Sequence, residues 1–436
     1  MWLLWLVAYT SVALGCIALA LIKLAHSYRH LQNRVLYLPQ LPAGSTTSLD
    51  DPANFGVNRE WIEIPVPTPP PRPVMTSDDS ESVAAPDCCA RHPTRVGVEE
   101  ISPDTTLLRG FISFPSAGPA PTSSSHHEGS RPGSAKWLLY LHGNAGNVGH
   151  RIPVAKLFHQ HIADLTVVMV DYRGYGLSDG GGGPKGRRQL TTPFPNAAMS
   201  RTGGRRLGSP RPPRESQAGA GARQMAAAGG ATPSCSSSAS MITPDDEEVG
   251  PTEQGLRQDA QAILDFLFDS GRIVEGTPLF VMGTSLGGAV AAQLAAVPRN
   301  ARRITGLVLE NSWTTISDMT DVVFEPKVRS YLRRPWIANP VVGWLRHVIK
   351  PLVLMIQWDT VGTLPHVTVP CLVLVGGKDE IIPPSHSRRL FEVAGSAAVP
   401  TPMKRMKEFD KGGHNNLALE DGYCDALRAF IDECMR

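Results

Sequence analysis

One serine, one aspartate and one histidine stand out because each follows a predicted strand and lies beside glycines. Ser285 is the centre of Gly283-Thr284-Ser285-Leu286-Gly287, a G-x-S-x-G pattern. Asp379 belongs to Gly376-Gly377-Lys378-Asp379-Glu380-Ile381-Ile382-Pro383, just after the apolar run 369–375. His414 belongs to Gly412-Gly413-His414-Asn415-Asn416, after the short strand-like run 404–409. A serine hydroxyl is a poor nucleophile until an imidazole takes its proton. The imidazole in turn needs a carboxylate to fix its tautomer and stabilise its cation. Three such groups in the order Ser, Asp, His, each just past a predicted strand, could together attack an ester, thioester or amide carbonyl. Glu380 is the reserve acid. His386 and His366 are weaker bases because neither ends a predicted strand.

The same chemistry needs donors for the oxyanion. The backbone N–H of Leu286, directly after the serine, is one. The second is expected from the turn after His142-Gly143, at Asn144 or, as the alternative, Ala145. A backbone donor requires no particular side chain, so both stay open.

The surrounding elements must bring these residues to one place. Residues 279–282 read as a buried strand and 289–296 as a helix, so the chain turns sharply at the serine. Glycines two positions either side remove the Cβ atoms that would collide there. Upstream, 137–141 and 165–170 are buried strands with a helical stretch at 150–160 between them. The first ends in His142-Gly143-Asn144-Ala145-Gly146-Asn147, and the second runs into Asp171-Tyr172-Arg173-Gly174-Tyr175-Gly176, which shapes the neighbouring loop. In 252–267, Leu256, Ala260, Ile263, Leu264 and Leu267 fall on one helical face. A strand at 304–309 ends in Glu310-Asn311-Ser312-Trp313, and helices at 385–394 and 422–434 follow. Strand–turn–helix alternation of this kind predicts an α/β fold with a doubly wound, mostly parallel sheet. The stretches around 61–65 and 105–114 are expected as antiparallel neighbours at its edge.

Residues 2–22 carry no charged side chain. As a helix they would be about 30 Å long, the thickness of bilayer hydrocarbon. Lys23, Arg29 and Arg34 follow with no acidic residue before Asp50, so the positive-inside rule puts the body of the chain on the cytoplasmic side. The expected organisation is a single-pass anchor at 1–24 and a catalytic domain at 25–436. Polar, Pro/Ser/Gly-rich insertions are expected at 66–96, 115–135 and 180–250. Residues 317–360 break the alternation. They are helical and apolar-aromatic, with Trp336, Trp344, Leu345, Ile349, Leu352, Met355 and Trp358, and read as a short lid over an apolar groove.

The chain has 436 residues with 42% hydrophobic side chains, enough for a sizeable core, and its formal charge of +2 gives no bulk attraction to nucleic acid. The arginine-rich half of 180–250 lacks interleaved aromatic residues other than Phe194, so no nucleic-acid partner is expected. Seven cysteines without paired spacing argue against a disulfide framework and against a C-x-x-C zinc site.

Taken together, H-G-N-A-G-N, D-Y-R-G-Y-G-x-S, G-x-S-L-G-G, E-N-S at 310–312, G-x-x-D-x-x-I-P-P and the final G-x-H-N resemble the α/β-hydrolase superfamily, and within it the membrane-anchored serine hydrolases. The resemblance implies Ser285 as nucleophile, Asp379 as acid and His414 as base, with no metal or organic cofactor. The insertion at 180–250 departs from the family pattern. An ester or thioester substrate, either a lipid or an S-acylated protein, fits an enzyme held at a bilayer beneath an apolar lid. A peptidase with the same triad and a non-catalytic anchored scaffold are the alternatives.

Overall fold

The computed structural model describes residues 32–67, 105–115, 136–180, 250–395 and 403–436. These residues form one eight-stranded sheet of β1 (Asn58–Pro67), β2 (Thr105–Phe114), β3 (Lys136–Leu141), β4 (Leu165–Val170), β5 (Leu279–Thr284), β6 (Gly306–Glu310), β7 (Cys371–Gly376) and β8 (Lys404–Phe409). The order across the sheet is β1-β2-β4-β3-β5-β6-β7-β8. β2 is antiparallel to β1 and β4, while β3 to β8 are mutually parallel. Strands β4, β6 and β7 are buried along their whole length, as central parallel strands covered on both faces must be. β8 closes the sheet with exposed Arg405, Met406 and Lys407, and charge on an edge strand discourages further pairing.

Both faces are covered because successive side chains of each strand point opposite ways. On one face Phe280 and Met282 of β5 share a core with Phe158 of α1 (Ile152–His161) and with Phe430 and Ile431 of α7 (Tyr423–Cys434). On the other, Leu279 and Val281 pack with Leu264 of α2 (Glu253–Asp269), Val290 of α3 (Leu286–Ala295) and Leu390 of α6 (Pro384–Val393). β4 lies on one side of β3 and β5 on the other, so the winding reverses between β3 and β5. In parallel sheets that reversal opens a crevice at the carboxyl ends of the two strands.

Two further helices stand outside the alternation. α4 (Ile316–Leu332) and α5 (Pro335–Trp344) form a hairpin, and α5 continues through a wide turn at Leu345–Ile349 into Lys350–Val353. Ion pairs tie the two arms: Lys350 to Asp321 at 2.9 Å, and Arg346 to Asp321 at 3.0 Å and Glu325 at 2.6 Å.

Segment 32–48 lies over the carboxyl edge of the sheet. The Leu38 N–H donates to Asn144 O at 3.0 Å and the Gly146 N–H to Leu41 O at 2.6 Å. The Asn147 side-chain amide donates to Ser45 O and Ser48 O. At the other end, the Trp358 indole donates to the Tyr37 hydroxyl at 2.9 Å. Val66 and Pro67 continue β1 and pair with Thr106 and Thr105, so the polar stretch read as starting at 66 begins after the strand. The Gly250 N–H donates to Gly180 O at 2.7 Å, so the segment read as an insertion at 180–250 leaves and rejoins the fold at one point. Residues 181–249 themselves lie outside the described residues. So do the anchor read at 1–24, most of 66–96, and 116–135. Among the described residues no helix is long and apolar enough to cross a membrane.

Candidate active site

Ser285 stands between the last residue of β5 and the first of α3, with φ 56° and ψ −117°. A non-glycine residue there is strained, and the surroundings hold it in place. A Cβ on Gly283 would lie 2.0 Å from Gly287 O, and one on Gly287 would lie 2.0 Å from Leu141 O. Both positions therefore admit only glycine. The serine backbone is fixed at both ends: its N–H donates to Glu310 O at 2.9 Å, and its carbonyl accepts from the Ser312 hydroxyl at 3.0 Å.

Asp379 follows β7. Its Oδ1 accepts from the Ile381 and Ile382 N–H groups at 2.9 and 2.8 Å, and its Oδ2 lies 2.8 Å from His414 Nδ1. The carboxylate is thus oriented by its own turn, and it directs the imidazole Nδ1 proton towards itself. Both side chains are buried, to 1% and 7% exposure. Ser285 and His414 line one cavity of about 840 Å³ at the carboxyl edge of the sheet. Glu380 does not reach the imidazole. Its Oε2 accepts the His414 backbone N–H at 3.2 Å and so helps hold the histidine loop. The Nδ1 of His386 is engaged by Thr314 at 2.8 Å, and His366 closes a short turn at Leu364–His366.

Of the expected oxyanion donors, Leu286 opens α3, while Asn144 and Ala145 line the cavity on the turn after β3. A Cβ on Gly143 would lie 3.6 Å from the Ser285 Cβ, so this turn passes directly beside the serine. The Asn144 carboxamide points away, donating to Leu36 O at 2.9 Å, and the residue's backbone carbonyl accepts from the Tyr175 hydroxyl at 3.1 Å. His142 is buried beneath the turn, its Nδ1 2.8 Å from Gly143 O, and burial pushes its pKa down to about 3.

The run Glu310-Asn311-Ser312 does more than sequence reasoning gave it. Asn311 (φ 45°) accepts the Gly376 N–H at 2.8 Å and donates to Gly413 O and His414 O at 3.1 and 3.3 Å. One carboxamide therefore joins the end of the aspartate's strand to the histidine's loop. Ser312 holds Ser285, and Glu310 forms a buried cluster in the cavity floor. One Glu310 oxygen accepts from Thr284 at 3.3 Å and the other from the Tyr423 hydroxyl. The Tyr140 hydroxyl lies 3.0 Å from Thr284 Oγ1. Burial raises the Glu310 and Tyr423 pKa values. The legible signal was three polar residues in succession where a buried strand ends, at the carboxyl edge of the sheet that faces the site.

The hairpin covers this cavity with aliphatic side chains, among them Met319, Val323, Val342, Leu345 and Ile349. Of the residues read together as forming the groove, Leu345 and Ile349 line it, whereas the tryptophans lie elsewhere. Trp336 and Trp344 face outwards with 74% and 55% exposure, and Trp358 is buried against Tyr37. Trp358 anchors the base of the hairpin, whereas the other two sit on the helix side turned from the cavity.

A strand–serine–helix turn at the winding reversal, with a carboxylate–imidazole pair brought to the same edge from the last two strands, defines an α/β-hydrolase fold. Comparison with known proteins agrees. The profile of the alpha/beta hydrolase fold family matches residues 136–334. Protein bem46 of Schizosaccharomyces pombe is 25% identical over 96% of this chain and 92% of its own length. Alpha/beta hydrolase domain-containing protein WAV2 of Arabidopsis thaliana is 26% identical over 65% of each chain. An uncharacterized membrane protein of Saccharomyces cerevisiae is 26% identical over 69% of this chain and 72% of its own.

Proposed function

We propose that the chain is a membrane-anchored serine hydrolase that cleaves an ester or thioester through an acyl-serine intermediate. The observation that carries this reading is the His414–Asp379 contact of 2.8 Å, in a pair that shares one cavity with a serine held in a strained turn. His414 Nε2 takes the Ser285 proton as Oγ attacks the substrate carbonyl, and Asp379 stabilises the imidazolium that forms. The tetrahedral oxyanion is held by the backbone N–H of Leu286 and that of Asn144, with Ala145 as the alternative second donor. Collapse breaks the bond to the leaving alcohol or thiol, which takes the proton from Nε2. Water, deprotonated by the same imidazole, then releases the acid and restores Ser285.

The cavity's aliphatic lining under the α4–α5 hairpin suits an acyl chain. A lipid or an S-acylated protein is the substrate class that fits this lining together with the uncharged run at 2–22. The yeast relative described as a membrane protein supports the anchoring. Labelling with a fluorophosphonate probe tests the core of the proposal: wild type should label and Ser285→Ala should not. Turnover of a preferred acyl ester or thioester should fall by about 10⁴-fold or more in Ser285→Ala and His414→Ala. Equal labelling of Ser285→Ala would refute it.

A further inference from the structure

The outer side of the α4–α5 hairpin carries large apolar side chains that are exposed among the described residues. Trp336, Trp344, Val348 and Met355 recur at spacings of four to eight residues from α5 onwards, with exposures of 74%, 55%, 44% and 44%. Tyr331, 85% exposed, stands at the hairpin tip. A different side of the same arm, at Val342, Leu345, Ile349 and Val353, lines the cavity. The helix is therefore apolar on two sides, and among the described residues only one of them is covered. Exposed apolar stretches of this extent mark interaction surfaces.

Charge and chain path select the occupant. Lys327, Arg333 and Arg334 are exposed around the tip, whereas the acids Asp321 and Glu325 are engaged by Lys350 and Arg346. The outer side thus presents cations beside tryptophan and tyrosine, the combination favoured at an anionic lipid interface. Gln32 is bonded to the far end of the same arm: its side-chain amide donates to Val353 O at 2.6 Å and its Oε1 accepts from the Met355 N–H at 2.9 Å. Nine residues, reaching at most about 30 Å when extended, separate Gln32 from the uncharged run at 2–22. A bilayer crossed by that run therefore lies within reach of the stripe.

We propose that the outer side of the α4–α5 hairpin is a second membrane contact, seated in the interface of the bilayer through Trp336 and Trp344. The inference rests on the anchored-hydrolase reading and deepens it, since the cavity then lies between the sheet and the lipid phase that supplies its acyl substrate.

The test uses the full chain reconstituted in phosphatidylcholine vesicles containing some phosphatidylserine, with and without bromine on the acyl chains. Emission that disappears on Trp336→Phe/Trp344→Phe should be the emission that brominated lipid quenches. If that emission is unquenched, the proposal is overturned, and cross-linking into dimers in the same vesicles would then identify a second copy as the occupant. Flotation of the vesicles reads the anchor separately, so a chain that floats with unquenched Trp336 and Trp344 refutes the stripe and leaves the anchor standing. Trp336→Ser/Trp344→Ser should raise KM for a vesicle-borne long-chain thioester by about ten-fold or more, with fluorophosphonate labelling in detergent unchanged. Equal KM values would also overturn it.

Discussion

Asn311 gives the sharpest test of how the site is held together. Its carboxamide makes three hydrogen bonds to backbone groups at the end of β7 and on the histidine loop, at 2.8, 3.1 and 3.3 Å, from a residue with φ 45°. Asn311→Ala removes all three. At roughly 0.5–1.5 kcal/mol per bond, plus about 1 kcal/mol for placing alanine in the left-handed region, the loss comes to about 3–5 kcal/mol. A domain with ordinary stability survives that loss, with its melting temperature lowered by roughly 10 °C. The larger consequence falls on geometry. His414 is oriented from one side by Asp379 and from the other by a loop whose carbonyls Asn311 holds, and a displacement near 1 Å costs about 10²-fold in rate. Asn311→Asp adds a second perturbation. It keeps the acceptor for the Gly376 N–H and the tolerance for positive φ, yet it sets a buried carboxylate against the Gly413 and His414 carbonyls. The expected result at neutral pH is a stability loss at least as large as in the alanine variant and a comparable fall in labelling. The assay is the second-order fluorophosphonate labelling rate per folded molecule, measured well below the melting transition of each variant. If Asn311→Ala melts earlier but labels at the wild-type rate, the side chain only stabilises the fold and the positioning argument fails.

Three further outcomes follow from the same geometry. Gly287→Ala places a methyl group 2.0 Å from the backbone oxygen of Leu141; with main chain on both sides of the clash, it should abolish labelling and yield little soluble protein, and a well-folded, active variant would contradict the described turn. Glu310 has its pKa raised above the usual value of 4.5 by burial, so its contribution to stability is complete below 4.5 and is lost as pH rises through the raised value. The melting temperature of wild type relative to Glu310→Gln should therefore fall between pH 4.5 and neutrality, and a constant difference would show that the carboxyl is not desolvated. Because Gly180 and Gly250 are bonded to one another at 2.7 Å, replacing 181–249 by a short glycine-containing linker should leave both labelling and melting temperature near wild type, as checked by calorimetry.

What could be read from the sequence is what depends on neighbours in the chain. The alternation of apolar runs and glycine turns located β3 to β8 to within a few residues, and the glycines at 283 and 287 foretold a turn whose crowding the structure shows at Leu141 and Gly287. Other features depend on partners brought together only by the sheet. Asn311 reaches Gly413 and His414 about a hundred positions away. Leu36 and Leu38 fasten the turn at Asn144 from a similar distance, and no local pattern encodes either contact. The tryptophans of the hairpin failed for a different reason. Composition gave their number and their apolar character, but which side of a helix faces the cavity is decided by how its arms are docked. Here the ion pairs of Asp321 and Glu325 with Arg346 and Lys350 fix that docking and turn Trp336 and Trp344 outwards. A helix apolar on both sides gives its sequence no means of marking which side is the inner one. Leu345 and Ile349, read together with the tryptophans as groove residues, do line the cavity, and Val342 joins them on the same side of the arm.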